Sequence, residues 1–396
     1  MVELLSPISD RVMLKAAIDA GANAVYFGLK TLNMRSSAKN FTLEELPEII
    51  SICHEANVKA YLTVNSIVYD SELEEMKQVI AVAKNAGVDA VICWDTAVIS
   101  ECKKQNIEFH ISTQASVANS EAALFYKNLG ASRVILAREL SLDQIKEIIK
   151  TGIEVETFIH GAMCVSVSGR CFMSQQLFNR SANRGDCIQP CRREYKIIDE
   201  ENKELILGND YVMSPKDLCA LPFLDKLIDA GITCFKIEGR ARSPEYVKTV
   251  TECYREAIDA VGKKQFSNEL VDKLAARLNS VYNRGFSRGF YFGSPTADDF
   301  AKSYGSNSST KKVYAGFVRN FFKNNMVAEV QLEANKLKIG DKIMIQGPTT
   351  GVQEQILGSM EIDHKQIQEA EKTAVGIKFD FVVRQNDKLF IIVDKN

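Results

Sequence analysis

The chain of 396 residues is long enough for two or three domains around a large core, and its 46% apolar and 25% charged residues are ordinary for a soluble globular protein. A formal net charge of −2 gives no global sign of a polyanion partner, so any nucleic-acid contact has to come from a local patch. No run approaches the roughly 18–20 apolar residues of a membrane span, and an N-terminus carrying Glu3 and Asp10 lacks the apolar stretch of a signal peptide, so a cytoplasmic protein with reduced thiols and no membrane association is expected.

From the N-terminus one phrase recurs: a helix-like segment, a glycine or asparagine, then a short β-branched run. It reads "AIDAGANAVYFG", "AKNAGVDAVICWD", "KNLGASRVILAR", "IKTGIEVETFIHG" and "LIDAGITCFKIEG", while "CHEANVKAYLTV" and "CKKQNIEFHISTQ" place Asn57 and Asn106 in the same slot. The slot is a helix C-cap, where glycine takes a left-handed conformation without strain and asparagine tolerates it next best. The runs that follow are almost continuously apolar, as parallel strands buried on both faces must be. They predict strands near 3–6, 24–28, 59–64, 90–95, 108–114, 133–138, 155–160 and 234–238. Alternation with helices makes this a (β/α)8 TIM-like barrel over residues 1–291. A doubly wound open sheet is the alternative, but no GxGxxG follows the first strand.

Barrel enzymes carry their chemistry at the C-terminal ends of the strands. Those ends hold Tyr26, Gly28, Asn65, Asp95, Thr113, Gln114, Arg138, Glu139, His160, Glu238 and Arg240. A polar residue at such a place can simply cap the next helix, a reading kept open for Asn65, Asp95 and Thr113.

Between strands seven and eight lies an insertion at about 162–232, expected over the barrel mouth. It contains Cys164, Cys171, Cys187 and Cys191, separated by six, fifteen and three residues, whereas the chain's other cysteines are spread thinly. Four thiolates suit Zn²⁺ or an iron–sulfur cluster, and the wide first spacing disfavours a zinc ribbon. Cys53, Cys93, Cys102, Cys234 and Cys253 lie in apolar contexts and read as small buried hydrophobes, with Cys219 a possible substitute ligand. Between 170 and 196, Arg170, Arg180, Arg184, Arg192, Arg193 and Lys196 face only Asp186 and Glu194, a solvated surface or a contact for phosphate or carboxylate. A linker at 292–310 leads to short alternating strands at 311–396, predicted to form a small antiparallel β-barrel similar in pattern to the second domain of elongation factors.

The segment "ETFIHGAMCVSVSGRCFMS" resembles the signature of the collagenase-like U-32 peptidase family, supplied here by Glu156, Phe158, Gly161, Ala162, Cys164, Gly169, Cys171 and Ser174. The resemblance extends through "ISTQASVAN", "ANRGDCIQPCRREY", "SPKDL" and "KIEGR", covering most of residues 1–260, with "ELLSPISD" in place of the usual "ELLAPAG". No GxSxG or HExxH accompanies it, and His54, His110, His160 and His364 are scattered. The family's better-understood branches imply RNA or quinone-pathway hydroxylation with an iron–sulfur cluster.

By length and appended barrel the chain looks most like the branch that hydroxylates the wobble uridine of tRNA to 5-hydroxyuridine with prephenate. A ribosomal cytidine hydroxylase, a quinone-pathway protein, a peptidase and a zinc-stapled RNA-binding module are the alternatives. The resemblance implies a 4Fe–4S cluster on Cys164, Cys171, Cys187 and Cys191. Prephenate is a dicarboxylate, which arginine forks grip in bidentate fashion, making Arg35, Arg138 and Arg240 candidates beside Gln114. Glu238 would orient Arg240 or act as acid or base, unless it forms a plain ion pair; His160 would donate a proton or touch the cluster's surroundings. Arg192 and Arg193 would meet phosphates of the tRNA anticodon stem–loop. No residue pattern signals a partner subunit or homo-oligomer.

Overall fold

The computed structural model describes residues 2–196, 198–204 and 213–395. Part of the expected insertion, residues 197 and 205–212, therefore lies outside the described residues.

Strands β1 (Glu3–Pro7), β2 (Ala24–Gly28), β3 (Lys59–Val64), β4 (Ala90–Cys93), β5 (Phe109–Ile111), β6 (Arg133–Ile135) and β7 (Glu154–Gly161) pair in parallel in chain order. A short strand β8 (Asp217–Cys219) intervenes before β9 (Cys234–Ile237), which pairs in parallel with both β7 and β1 and closes an eight-stranded barrel. The intervening helices include α1 (Arg11–Asp19), α2 (Leu46–Glu55), α3 (Leu73–Ala86), α4 (Thr96–Lys104), α5 (Ser120–Leu129) and α6 (Leu142–Ile149). The repeated cap slot explains the pattern: Gly21, Gly87, Gly130, Gly152, Gly231, Asn57 and Asn106 all have positive φ. Several strands are shorter than their apolar runs because the chain turns at the mouth. Asp95 leaves β4 to cap α4, accepting from the Ala97 amide at 2.9 Å, and Thr113–Ala115 forms a 3-10 turn after β5. For Asp95 the capping role is the one observed.

The insertion leaves β7, forms the short helix α7 (Met173–Phe178) and returns through β8, which runs antiparallel to the end of β7. Its arginines staple it to the barrel. Arg170 donates to the Gln114 carbonyl at 2.7 Å, and Arg184 binds the Ile67 carbonyl and Glu72. Arg192 donates to the Pro215 carbonyl at 2.7 Å and to the Met163 carbonyl. Gly185, at φ +88°, lies against the segment after β2, where a Cβ would overlap the Asn33 carbonyl oxygen.

Helices α8 (Leu224–Asp229), α9 (Pro244–Gly262) and α10 (Asn268–Ser280) follow, and the stretch 292–310 is pinned to the insertion's return by the Ala301 amide on the Ser214 carbonyl at 2.7 Å. Beyond it, an eight-stranded antiparallel sheet and a two-stranded ribbon share one core built on Val318, Val330, Ile345, Ile377 and Leu389. This unit rests on α1 and α9: Ala16 packs on Met344 and Val352, and Glu245 holds Lys312 Nζ at 2.8 Å and Gln346 Nε2 at 2.9 Å. No described helix is long and apolar enough to cross a membrane.

Because the insertion is seated by such close approaches, Gly185→Ala is expected to lift it without unfolding the barrel. Protease cleavage inside the insertion should rise several-fold, while the thermal midpoint shifts by no more than about 2–4 °C.

Candidate functional site

The mouth of the barrel holds a cavity with about 470 Å³ of unfilled space, part of it open to solvent. Strand ends supply Tyr26, Thr63, Asn65, Gln114, Arg138, Phe158, Lys236, Glu238 and Arg240, and the loop after β2 adds Arg35. Of the sequence-derived candidates, Arg35, Gln114, Arg138, Glu238 and Arg240 thus meet at one place.

Each is held by its surroundings. Arg240, fully buried, donates to Thr63 Oγ1 at 3.0 Å and Asn33 Oδ1 at 2.8 Å, and burial draws its pKa down to about 10. Gly28 makes room for it, since a Cβ there would overlap the guanidinium. Arg35 Nη2 lies 3.3 Å from Glu238 Oε1. Burial works to raise the Glu238 carboxyl, but Arg35, Arg242 and Arg138 outweigh it and hold the acid below the ordinary carboxylate range. Glu238 therefore pairs with Arg35 and does not contact Arg240 by hydrogen bond. Arg138 lies over the Phe158 ring at 3.8 Å and donates to the Ala162 carbonyl at 2.7 Å, while its buried Nε has no partner. Gln114 Oε1 accepts from Asn65 Nδ2 at 3.3 Å and from the Ser112 hydroxyl.

Two charged residues were missed from the sequence. Lys236 lines the cavity with its ammonium 4.2 Å from the Tyr26 ring centre and donates to Glu156 Oε1 at 2.7 Å. Glu156, wholly buried, also lies 3.3 Å from Arg133 Nη1, which reaches Glu3 at 2.6 Å. The signal was present in the spacing of two between Lys236, Glu238 and Arg240, the period of a strand facing one side. Four cations against one lining carboxylate, with Lys236 offset by Glu156, leave the cavity suited to an anion.

His160 requires a correction. Residues Glu156 and Phe158 face inward, and the same alternation would bring His160 to the mouth. A β-bulge between Phe158 and His160 turns the ring outward instead, against Tyr246, Tyr254 and Phe286, with Nδ1 3.3 Å from the Tyr254 hydroxyl. Burial, helped by Arg242, lowers its pKa from 6.5 to about 3, so it is neutral and no proton donor at neutral pH. Arg192 is likewise a staple and not a free anion contact, whereas Arg193 is exposed and stacks on Phe178 at 4.8 Å.

The four insertion cysteines are free thiols, Cys164 exposed and the others half-buried. They converge. Burial pushes the Cys191 thiol up, Arg192 opposes this, and Cys164, Cys187 and Cys171 all lie near enough to add to the rise. Cys187 also acts on Arg35 and Cys164 on Arg138, so at least these two thiols lie within electrostatic reach of the anion cavity. Among the described residues no three Cys, His, Asp or Glu side chains stand at the spacing of a single metal ion's ligands. Arg192 Nε, buried next in sequence to Cys191, is a donor without an acceptor. The Met173 N–H lies 3.4 Å from Cys171 Sγ and the Ser174 hydroxyl 3.9 Å from Cys187 Sγ, and with the orphaned Arg192 N–H these donors fit an anionic group carried on thiolates. Cys219 is turned into the fold, its thiol 3.7 Å from the Tyr254 hydroxyl and pushed up by burial to about 11.

A family model described as peptidase family U32 matches residues 10–300. An uncharacterized protease of Methanocaldococcus jannaschii is 45% identical, over 99% of this chain and 98% of its own. A collagenase of Porphyromonas gingivalis is 41% identical over 98% of this chain and 97% of its own. The tRNA hydroxylation protein P1 of Bacillus subtilis is 35% identical over 87% of this chain and 83% of its own.

The buried histidine gives a pH signature. Above its unfolded pKa of 6.5 the ring is neutral in both states and contributes nothing; below it the unfolded chain takes up a proton that the fold refuses until about pH 3. Stability should fall as pH drops below 6.5, by up to about 1.4 kcal/mol per pH unit from this residue. Urea titrations between neutral and mildly acidic pH should show a flatter dependence in His160→Gln than in the parent.

Proposed function

The chain belongs to peptidase family U32, and from that membership we propose that it is an RNA-modifying hydroxylase, not a peptidase, whose product is 5-hydroxyuridine at the wobble position of tRNA, with prephenate as co-substrate. The observation that carries the reading is the cation-lined cavity covered by the insertion that bears the four cysteines, joined to it by Arg138 on the Ala162 carbonyl. A relative named for tRNA hydroxylation, similar along most of the chain, supports the RNA part. Relatives named protease and collagenase favour the peptidase reading. Against it, a cysteine nucleophile needs a partnered base, and His160 is turned away from the mouth with the Tyr254 hydroxyl as its ring's partner.

The residues assign themselves by chemistry. Arg138, with an unused Nε–H, and Arg35 would grip the carboxylates of prephenate, and Arg240, held by Thr63 and Asn33, would present a fixed positive field behind them. Glu238, kept ionised by its arginine neighbours, would orient Arg35. Gln114, Asn65 and Ser112 form a polar ring suited to hydrogen-bond a base edge. Cys164, Cys171, Cys187 and Cys191 would hold a 4Fe–4S cluster, which when bound supplies one-electron transfer at the mouth. Zinc takes the same thiolates, but the six residues between Cys164 and Cys171 are more than the roughly two to four usual within a zinc ligand pair.

The decisive experiment couples two measurements. Protein purified without oxygen should carry iron and inorganic sulfide in about equal amounts, lost when Cys171 and Cys187 become alanine. A strain lacking the gene should lose 5-hydroxyuridine from its tRNA by nucleoside mass spectrometry. Unchanged tRNA would overturn the proposal; a missing ribosomal 5-hydroxycytidine would redirect it to the alternative RNA. Zinc without sulfide would indicate a structural metal, and peptide cleavage surviving Cys164→Ala and Cys171→Ala a peptidase. Separately, Arg138→Gln should raise the prephenate concentration for half-maximal rate by roughly 10- to 100-fold, the worth of a charged hydrogen bond, with iron content unchanged.

A further inference from the structure

Two arginines that staple the insertion, Arg170 and Arg184, each also cover an aromatic ring of a loop at the mouth, and Arg193 covers one on the insertion's own helix. Arg184 lies 4.4 Å from the ring centre of Tyr69, Arg170 5.2 Å from that of Trp94, and Arg193 4.8 Å from that of Phe178. These rings come from three separate segments: the loop after β3, the end of β4, and α7. Two of the guanidinium groups are fixed by bonds to the barrel, Arg170 on the Gln114 carbonyl at 2.7 Å and Arg184 on the Ile67 carbonyl and Glu72. The Trp94 ring is fixed in turn by its Nε1–H on the Asn65 carbonyl at 2.9 Å. Yet the rings are not buried by this: Tyr69 is 54% exposed, Phe178 38%, and Phe172, beside Cys171, 73%.

We infer that this rim is a stacking platform for the unpaired bases of a single-stranded RNA loop, which would flank the nucleotide entering the cavity. The inference rests on the RNA reading above and names the side chains that would hold the loop. Separate flat rings, several backed by a guanidinium and set beside a cation-lined cavity, suit flat units strung on a polyanion. The open ring face takes a base, and the cation behind it lies near the phosphate between that base and the next. Double-stranded RNA offers no open base faces, so the platform selects loops over stems.

The sole tryptophan of the chain is a built-in reporter. With iron-loaded protein, a stem–loop RNA should quench Trp94 emission and bind at least tenfold more tightly than the same stem closed as a continuous duplex. Tyr69→Ala and Phe172→Ala should each weaken stem–loop binding roughly tenfold, and Phe172→Tyr should restore it; iron content, measured in parallel, controls for damage to the cysteine loop. Ring variants that bind the stem–loop as tightly as the parent, with tRNA still hydroxylated, would overturn the platform and leave the RNA reading standing. Equal affinity for duplex with unchanged emission would also overturn it. A parent protein that binds neither RNA would bring down both.

Discussion

A carboxylate with no exposure at all, Glu156 on β7, sits between Lys236 of β9 and Arg133 of β6. The chain leaves β7, makes the insertion and α8, and returns as β9 directly beside the strand it left, so closure depends on a seam between residues distant in sequence. The Glu156–Lys236 pair crosses that seam at 2.7 Å, with Lys236 lining the cavity and Glu156 buried behind it. Removing one partner of a buried pair leaves an uncompensated charge, at a cost of about 3–5 kcal/mol. The pair therefore fixes the register that brings Phe158, Glu238 and Arg240 to the mouth, and with them the base on which the cysteine insertion stands.

The positive charge of this protein is divided by task in a way its sequence conceals. Arginines crowded between 170 and 193 suggested a surface for phosphates, yet Arg170, Arg184 and Arg192 spend donors on backbone carbonyls of the barrel or of neighbouring loops. The cations facing the cavity come instead from Arg35, Arg138, Lys236 and Arg240, far apart in the chain. Guanidinium groups serve both purposes because a planar fork satisfies several acceptors at once in a fixed geometry.

The barrel was legible in the sequence because its signals are local. A C-cap that needs left-handed backbone and a strand buried on both faces each leave a mark within a dozen residues, and all eight barrel strands fall where those marks predict. The convergence of Arg35, Gln114, Arg138, Glu238 and Arg240 follows from the same logic, as all but Arg35 lie at or just past strand ends. His160 shows where it stops. A single bulge after Phe158 reverses the side to which the next residues point, and nothing in the apolar pattern announces it. Lys236 was passed over for a different reason: its spacing from Glu238 and Arg240 marks the inward face, but a lysine in an apolar run breaks the expected hydropathy until its partner Glu156, on a distant strand, is in place. The hold of Arg170 and Arg184 on the rim is equally invisible, since both partners lie on other loops.

The C-terminal sheet stands on the first turn of α9, where Glu245 receives Lys312 and Gln346. One residue further, the Tyr246 hydroxyl donates back to the Glu238 carbonyl at 3.0 Å. The footing of the appended domain and the acid of the mouth thus share one short span, from Glu238 to Glu245, with no flexible joint of more than a few residues between them. A change that loosens the Glu245 footing therefore acts within seven residues of the acid that lines the mouth.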